Sequence, residues 1–428
     1  MNSVQIYESL FSAFTQAHNG AVKATLPLRE SALQSFAAVG FPANRHEAWR
    51  YSNISALLKE GFTPVTEKNT PEEKLHFDNI FRIKANCLVF IDGYFSKEYS
   101  SIKEDAAGVE ITSLAEHLKN NSLADIGRLA EPDDGFTALN ASFFTDGAYI
   151  FLPAGKKLQY PVLLYFVSTD KQSGKVSMPR NLIVAGAGSQ CSVIECYQNL
   201  TAAPAASNAV TEVIVEESAS VDYYKMHSRA DNYTHIGSTA IALEKNSRLR
   251  SWAITLGGRF IRNNLRVMLT GVQAEAHLYG LYVLAGKDYG DNHVVVEHKN
   301  PHCYSNQLYK GVLGGAAHGV FSGKILVHPG AQKTNAYQSN KNILLSQDAT
   351  VNSKPQLEIF ADDVKCSHGS TTGQLDEDAV FYMQTRGISK AQALNILHQA
   401  FACEIIDKTD LQELKDYLYY ALLIALNR

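Results

Sequence analysis

Apolar residues recur at helical spacing near the start of the chain. Leu10, Phe11 and Phe14 form one stripe. Leu33, Phe36 and Val39 form a second, stopped by Gly40 and Pro42. The spacing predicts helices through roughly the first 60 residues. "NCLVFIDGYF" (86–95) is strand-like and ends at a glycine turn, and "SLAEHLKN" and "FTALNASFF" return to helical patterning up to residue 144. From about residue 147 short β-rich runs follow one another, with no long helical run until the C-terminus. There Asp376 is placed to cap a helix that Gly387 ends. "SKAQ" (Ser389, Gln392) and "TDLQ" (Thr409, Gln412) read as capping boxes for two more. Leu394, Leu397, Phe401 and Ile405 stripe the first of these, and Leu411, Leu414, Leu418 and Leu422 stripe the second.

The β-rich runs repeat loosely. "AGSQCSVIE", "ESASVDYYK", "KNSRLRSWA", "VQAEAHLYG", "NPHCYSNQL", "GAQKTNAYQ" and "DDVKCSHGS" each pair a small or polar turn with the alternating residues of a strand. Their equivalent positions, Ser189, Ala219, Ser247, Ala274, His302, Ala331 and Val364, lie about 27 to 33 residues apart, a period that signals a solenoid or array. A propeller blade of the WD40 kind needs roughly 40 to 45 residues, whereas two or three short strands with their turns fill this period. The expected core is therefore a β-helix, each coil pairing with the next, with a jelly roll as the alternative.

Composition narrows the class. Of 428 residues 45% are hydrophobic and 19% charged, which suits a globular chain with an ample core. The formal charge of −4 offers no general attraction to nucleic acid or anionic membrane. The first residues lack the basic flank and apolar run of a signal peptide, and no apolar run approaches the roughly 20 residues that span a bilayer. A cytoplasmic location is expected. The cysteines at 87, 191, 196, 303, 366 and 403 form no C-x-x-C pair, so reduced thiols are expected rather than a disulfide framework or a structural zinc site.

The densest chemistry is "KCSHGSTTGQ" (365–374). On a strand, Cys366 and His368 project from one face, so a thiol and an imidazole become neighbours. Two such ligands suit iron, zinc or a cluster but do not complete a site. The bland alternative is a polar turn with a half-buried cysteine. Cys191 and Cys196, five apart, face opposite ways as strand residues and are expected to fill core. His293, His298, His302 and His318 are scattered without metal-site spacing. "GVFSGKI" (319–325) falls one residue short of a phosphate loop and has Ile325 where a hydroxyl is required, so no nucleotide site is expected from it. "GFPANRHEAWRYSN" (40–53) reads as a loop packing aromatics on the N-terminal helices.

Two stretches carry a family likeness. "PQLEIFADDVKCSHGSTTGQLDEDAVFYMQTRGIS" (355–389) resembles the C-terminal signature of the SufB/SufD family of iron–sulfur cluster assembly proteins, and "FSGKILVHPGAQKTNAYQSNKNILLS" (321–346) resembles the coil before it. The segment 40–53 resembles the SufD branch. The likeness implies a mainly β chain: a mostly helical region over 1–145 with a short β segment, a right-handed parallel β-helix over 146–373, and a helical domain over 374–428. It implies a non-catalytic, cytoplasmic scaffold that pairs with a SufB-type subunit and docks a SufC-type ATPase on its C-terminal helices. Phe381, Tyr382, Leu394, Leu397 and Phe401 are the expected docking anchors. No cofactor is expected to stay on the isolated chain. A transient iron–sulfur cluster is expected in the complex, with Cys366 and His368 at the interface with the SufB-type partner and His368 favoured as ligand. A homodimer is the expected state when that partner is missing. The competing readings are a β-helix carbohydrate-active enzyme, which would cluster Asp or Arg on one face of the coil, and a homodimeric SufB-like scaffold.

Overall fold

The computed structural model describes residues 3–17, 23–43, 45–69, 74–103, 108–120, 126–169, 174–227 and 231–427. Among these, the strands form two sheets, one of 11 strands and one of 10. The first stacks Ala148–Leu152, Arg180–Ala185, Ala205–Val215, Tyr233–Leu243, Phe260–Leu269, Tyr289–His298, His318–Val327 and Thr350–Ile359. The second stacks Asn86–Ile91, Val162–Ser168, Gln190–Asn199, Ser220–His227, Arg248–Thr255, Glu275–Leu284, Tyr304–Leu313, Asn335–Leu344 and Lys365–Gly373. Every pairing within these two stacks is parallel, and the chain passes from one sheet to the other at each corner. The result is a parallel β-helix, as the repeat predicts.

One residue column fixes the register: Gln190, Ser220, Arg248, Glu275, Tyr304, Asn335 and Lys365 pair in succession. Ser189, Ala219, Ser247, Ala274 and Val364 each precede that column by one position, as the repeat requires. His302 and Ala331 do not; Cys303 and Thr334 are the true equivalents. Turn lengths vary between coils while strand register does not.

The corners show why the turns are small or polar. Gly188, Ser218, Asn246, Gln273, His302 and Lys333 all sit at φ between 55° and 67°, the left-handed region. Their amides donate to the next coil, as from Ser218 N to Lys245 O (2.9 Å) and from His302 N to Gln332 O (2.9 Å). His302 is thus a corner residue, held there by backbone geometry.

Alternate residues of both sheets fill the space inside the coils with Val, Leu, Ile, Ala and Tyr. A polar knot interrupts this core: Glu195 and Lys225 pair at 3.1 Å, and Glu195 also accepts from Tyr197 (2.6 Å) and Thr211 (2.8 Å). Beside them lie the rings of His227 and His235, with centroids 4.3 Å apart.

The N-terminal region covers the outer face of the first sheet. Helices Ser3–Ala17, Leu26–Val39 and Gly135–Phe143 pack Phe11, Phe14, Phe36 and Phe143 against one another. Val39, expected in that stripe, is 47% exposed, because Gly40 ends the helix at that point with its amide on Phe36 O. Trp49 stacks on Phe136 and lies under the Arg262 guanidinium (3.8 Å), so segment 40–53 does pack aromatics. The buried Arg180–Glu212 pair (2.7 Å) pins the neighbouring loop through the amides of Gly127, Leu129 and Ala130.

The C-terminal helices Lys390–Ile406 and Gln412–Leu426 cover the outer face of the second sheet, burying Ile405, Leu414, Leu418 and Leu422 against Tyr224, Trp252 and Leu281. The capping box at Ser389 and Gln392 is present. The one expected at Thr409 and Gln412 is not. The Thr409 hydroxyl is taken by Tyr224 (2.6 Å), and Leu411 stands at the cap position with no side-chain bond. Among the described residues no helix is long and apolar enough to cross a membrane.

Candidate functional site

The two ends of the coil stack differ. At the first, antiparallel strands Glu110–Ser113 and Tyr94–Ser101 close the sheets. At the last, Thr350–Ile359 and Lys365–Gly373 are both terminal strands, each paired on one side only. Unpaired strand edges are templates for another chain. Pro355 lies on the first of these, where proline is tolerated because an edge residue need not donate to a further neighbour. Lys365–Gly373 has no proline, so each of its residues keeps a backbone donor.

Cys366 and His368 occupy this terminal strand, opposite Ala336 and Gln338. Both belong to the set of positions that points inward in the coils below, so they share one face as their spacing predicts. Cys366 is half-buried against the patch formed by Ile325, Val327, Ala331 and Ala336. Burial pushes its thiol up, partly countered by the Ala336 backbone, so the group rests as a thiol and must lose a proton to bind metal. His368 is exposed at the mouth of the stack. Across that mouth Ser370 Oγ donates to Ser353 Oγ (2.8 Å).

Below the mouth the interior changes character coil by coil. The column Leu278–Gln307–Gln338 leads up to His368, and Ala276–Ser305–Ala336 leads up to Cys366. The neighbouring columns run Gly280–Tyr309–Asn340–Ser370 and Tyr282–Gly311–Asn342–Thr372. Hydrocarbon thus gives way to amide and hydroxyl as the open end approaches. Gln338 Nε2 donates to Gln307 Oε1 (3.0 Å), and Asn340 Nδ2 donates to Tyr282 Oη (3.0 Å). Asn342 Nδ2 donates to Asn340 Oδ1 (2.8 Å), and Tyr282 Oη donates to Asn342 Oδ1.

Sequence reading missed these amides. The available signal was "AYQSNKN", a strand polar on both faces, which a β-helix permits only where its interior is also polar.

Among the described residues no three or more His, Cys, Asp and Glu side chains come together as a metal site. Cys366 and His368 stand two apart on an open edge, with no third described residue of these types beside them to complete a site. A second strand laid along Lys365–Gly373 would place its own side chains beside theirs, about 4.8 Å away.

The other sequence candidates are dispersed. Cys191 lies inside the coils and Cys196 faces the C-terminal helices, opposite ways as their spacing predicts. Burial pushes the Cys191 thiol up to about 12. Cys303 is buried near Gly271 O (3.2 Å). His298 is buried inside the coils on Ser305 (2.8 Å), while His318 bonds Thr350 and Asn352. Of the five expected docking anchors, Phe381 and Tyr382 are 67% and 61% exposed. Leu394 and Leu397 are half-buried, and Phe401 packs inward under Lys310. Ile396, Tyr420, Leu423 and Ile424 are exposed apolar residues of the same helical region that the stripes did not single out.

Comparison with known proteins finds relatives along nearly the whole chain. A family model described as the SUF system FeS cluster assembly SufBD core domain matches residues 166–401, and one for the SufBD protein N-terminal region matches residues 1–164. An iron–sulfur cluster assembly SufBD family protein of Synechocystis is 32% identical over 91% of this chain and 88% of its own. The chloroplastic protein ABCI7 of Arabidopsis thaliana is 28% identical over 96% of this chain and 88% of its own. The iron–sulfur cluster assembly protein SufD of Escherichia coli is 27% identical over 95% of this chain and 92% of its own.

Proposed function

The chain belongs to the SufBD family of iron–sulfur cluster assembly proteins, and on that premise we propose that it serves as the SufD-type scaffold subunit of its assembly complex. The likeness to a protein named SufD along nearly the whole chain supports the SufD assignment. In this reading the chain is non-catalytic, works in the cytoplasm and pairs with a SufB-type subunit along the Lys365–Gly373 edge. The iron–sulfur cluster is cargo, built transiently where the two edges meet and not retained by the isolated chain.

The observation that carries this reading is the open last coil, with Cys366 and His368 on its inward face and polar columns beneath them. A thiol and an imidazole on an unpaired edge, without a third ligand of their own, fit a site completed by another chain. With no SufB-type partner present, a second copy of this chain takes the same edge. The exposed aromatic pair Phe381 and Tyr382 fits docking of a SufC-type ATPase in a groove-and-helix contact. Against a carbohydrate-active β-helix enzyme, the buried acids Glu195, Glu212 and Asp291 each pair with a cation, and Asp146 is held by the amides of Phe95, Ala115 and Gly147.

Copurification from cells expressing all three subunits, followed by cross-linking and peptide mapping, tests the proposal. The expected contact with the SufB-type subunit falls within residues 350–373. A contact mapped to residues 147–220 instead, or no association at all, overturns it.

A further inference from the structure

The column beneath His368 holds an unfinished hydrogen-bond chain. Gln338 is 3% exposed, and its Nε2 donates downward to Gln307 Oε1 (3.0 Å). Its other arm, Oε1, is fully enclosed yet has no hydrogen-bond partner. The residue stacked above Gln338 in register is His368.

Two features show that this carboxamide is held in place rather than loosely filling space. The Gln307 bond fixes one arm. On the facing strand stands Gly323, where an added Cβ would lie 2.1 Å from Gln338 Nε2 and 2.8 Å from its Cδ. The amide therefore spans the coil because that position lacks a side chain. A buried carbonyl oxygen is costly to leave unpaired. In the last strand the residue in register above it is His368, on a strand one repeat of about 4.8 Å away, and its ring N–H is the donor that this column offers.

We propose that Gln338 is the positioning residue for His368: its Oε1 accepts one ring N–H, fixes the neutral tautomer and aims the other ring nitrogen at the cargo iron. Metal-ligating histidines commonly have their second nitrogen held in this way, and loss of the holder weakens metal affinity by roughly 10- to 100-fold. The inference rests on His368 being a ligand, as proposed above, but its first test does not.

That test uses the full chain, free of metal, labelled with ¹⁵N-histidine and held at mildly alkaline pH. The His368 signals are assigned by their disappearance in His368→Ala. One tautomer should predominate in the wild type. Gln338→Leu, which removes the acceptor, should shift the tautomer ratio by about threefold or more. Gln338→Glu should restore the wild-type ratio, because the carboxylate keeps an acceptor and the Gln307 amide can turn its free Nε2 towards it. Gly323→Ala should scramble the ratio while leaving Gln338 itself unaltered, which covers the case of a Gln338→Leu protein that fails to fold. An unchanged ratio in folded Gln338→Leu and Gly323→Ala overturns the inference.

The second test is cluster loading of the reconstituted complex. It should fall about 10-fold in Gln338→Leu and recover in Gln338→Glu. Normal loading by His368→Ala would defeat the ligand reading while leaving the tautomer result standing, so the two failures are separable.

Discussion

His298 offers a quantitative check on the buried interior. Its side chain lies fully inside the coils, with Nε2 on Ser305 Oγ (2.8 Å) and Nδ1 unpartnered. Burial alone lowers its pKa from 6.5 to about 4. The unfolded chain therefore takes up this proton first. The stability the neutral ring contributes is present above pH 6.5 and is lost as the pH falls towards about 4. A tenfold difference in proton affinity between the folded and unfolded chain is worth about 1.4 kcal/mol, so lowering the pH from 7.5 to 5.0 should cost about 2 kcal/mol through this group. His227, held down at about 3, and His293, at about 4, add in the same direction. Asp146, raised by burial to about 6, opposes them: its contribution is full below 3.8 and lost as pH rises through about 6. Comparing His298→Gln with the wild type cancels these shared contributions. Urea unfolding at both pH values, followed by the fluorescence of Trp49 and Trp252, should give a pH-dependent loss about 2 kcal/mol smaller in the variant. Equal losses in the two proteins would refute the buried, neutral assignment.

Gly237→Ala should cost about 1–3 kcal/mol by the same unfolding assay. The new Cβ would lie 2.3 Å from His235 Nε2 and 2.6 Å from Lys225 Nζ, inside the polar knot. A double variant Phe381→Ala and Tyr382→Ala should leave stability within about 0.5 kcal/mol, because both rings are exposed, yet abolish capture of the ATPase in a pull-down. Full capture by that variant would refute docking of an ATPase through these two rings.

The coil repeat was legible because strand register in a β-helix is set by the backbone, and each coil returns its chain to the same column. The corner residues could be read only approximately, since turns absorb insertions. His302 and Ala331 were therefore misaligned against Cys303 and Thr334. Cys366 and His368 sharing a face followed from their spacing alone. That they face the mouth of the stack did not, because inside and outside are settled by which residues the facing strand supplies. The amides Gln307, Gln338, Asn340 and Asn342 were missed for a related reason: polar residues on a strand suggest a solvent face, whereas here they line the inside of an open end. Thr409 matched a capping pattern, but Tyr224, far away in sequence, takes its hydroxyl. Local pattern could not have shown that competitor.

The central claim, that the last coil supplies half of a cluster-building site, is tested most directly by anaerobic reconstitution of the complex with His368→Ala. Iron and sulfide should be measured after checking that β-structure and association with the SufB-type subunit are intact. An exposed edge residue contributes little packing, so both should survive the substitution. The account predicts a sharp loss of bound iron and sulfide, with Cys366→Ala giving a smaller or similar loss. A folded, partner-bound His368→Ala complex that assembles clusters at the wild-type rate and yield would contradict it.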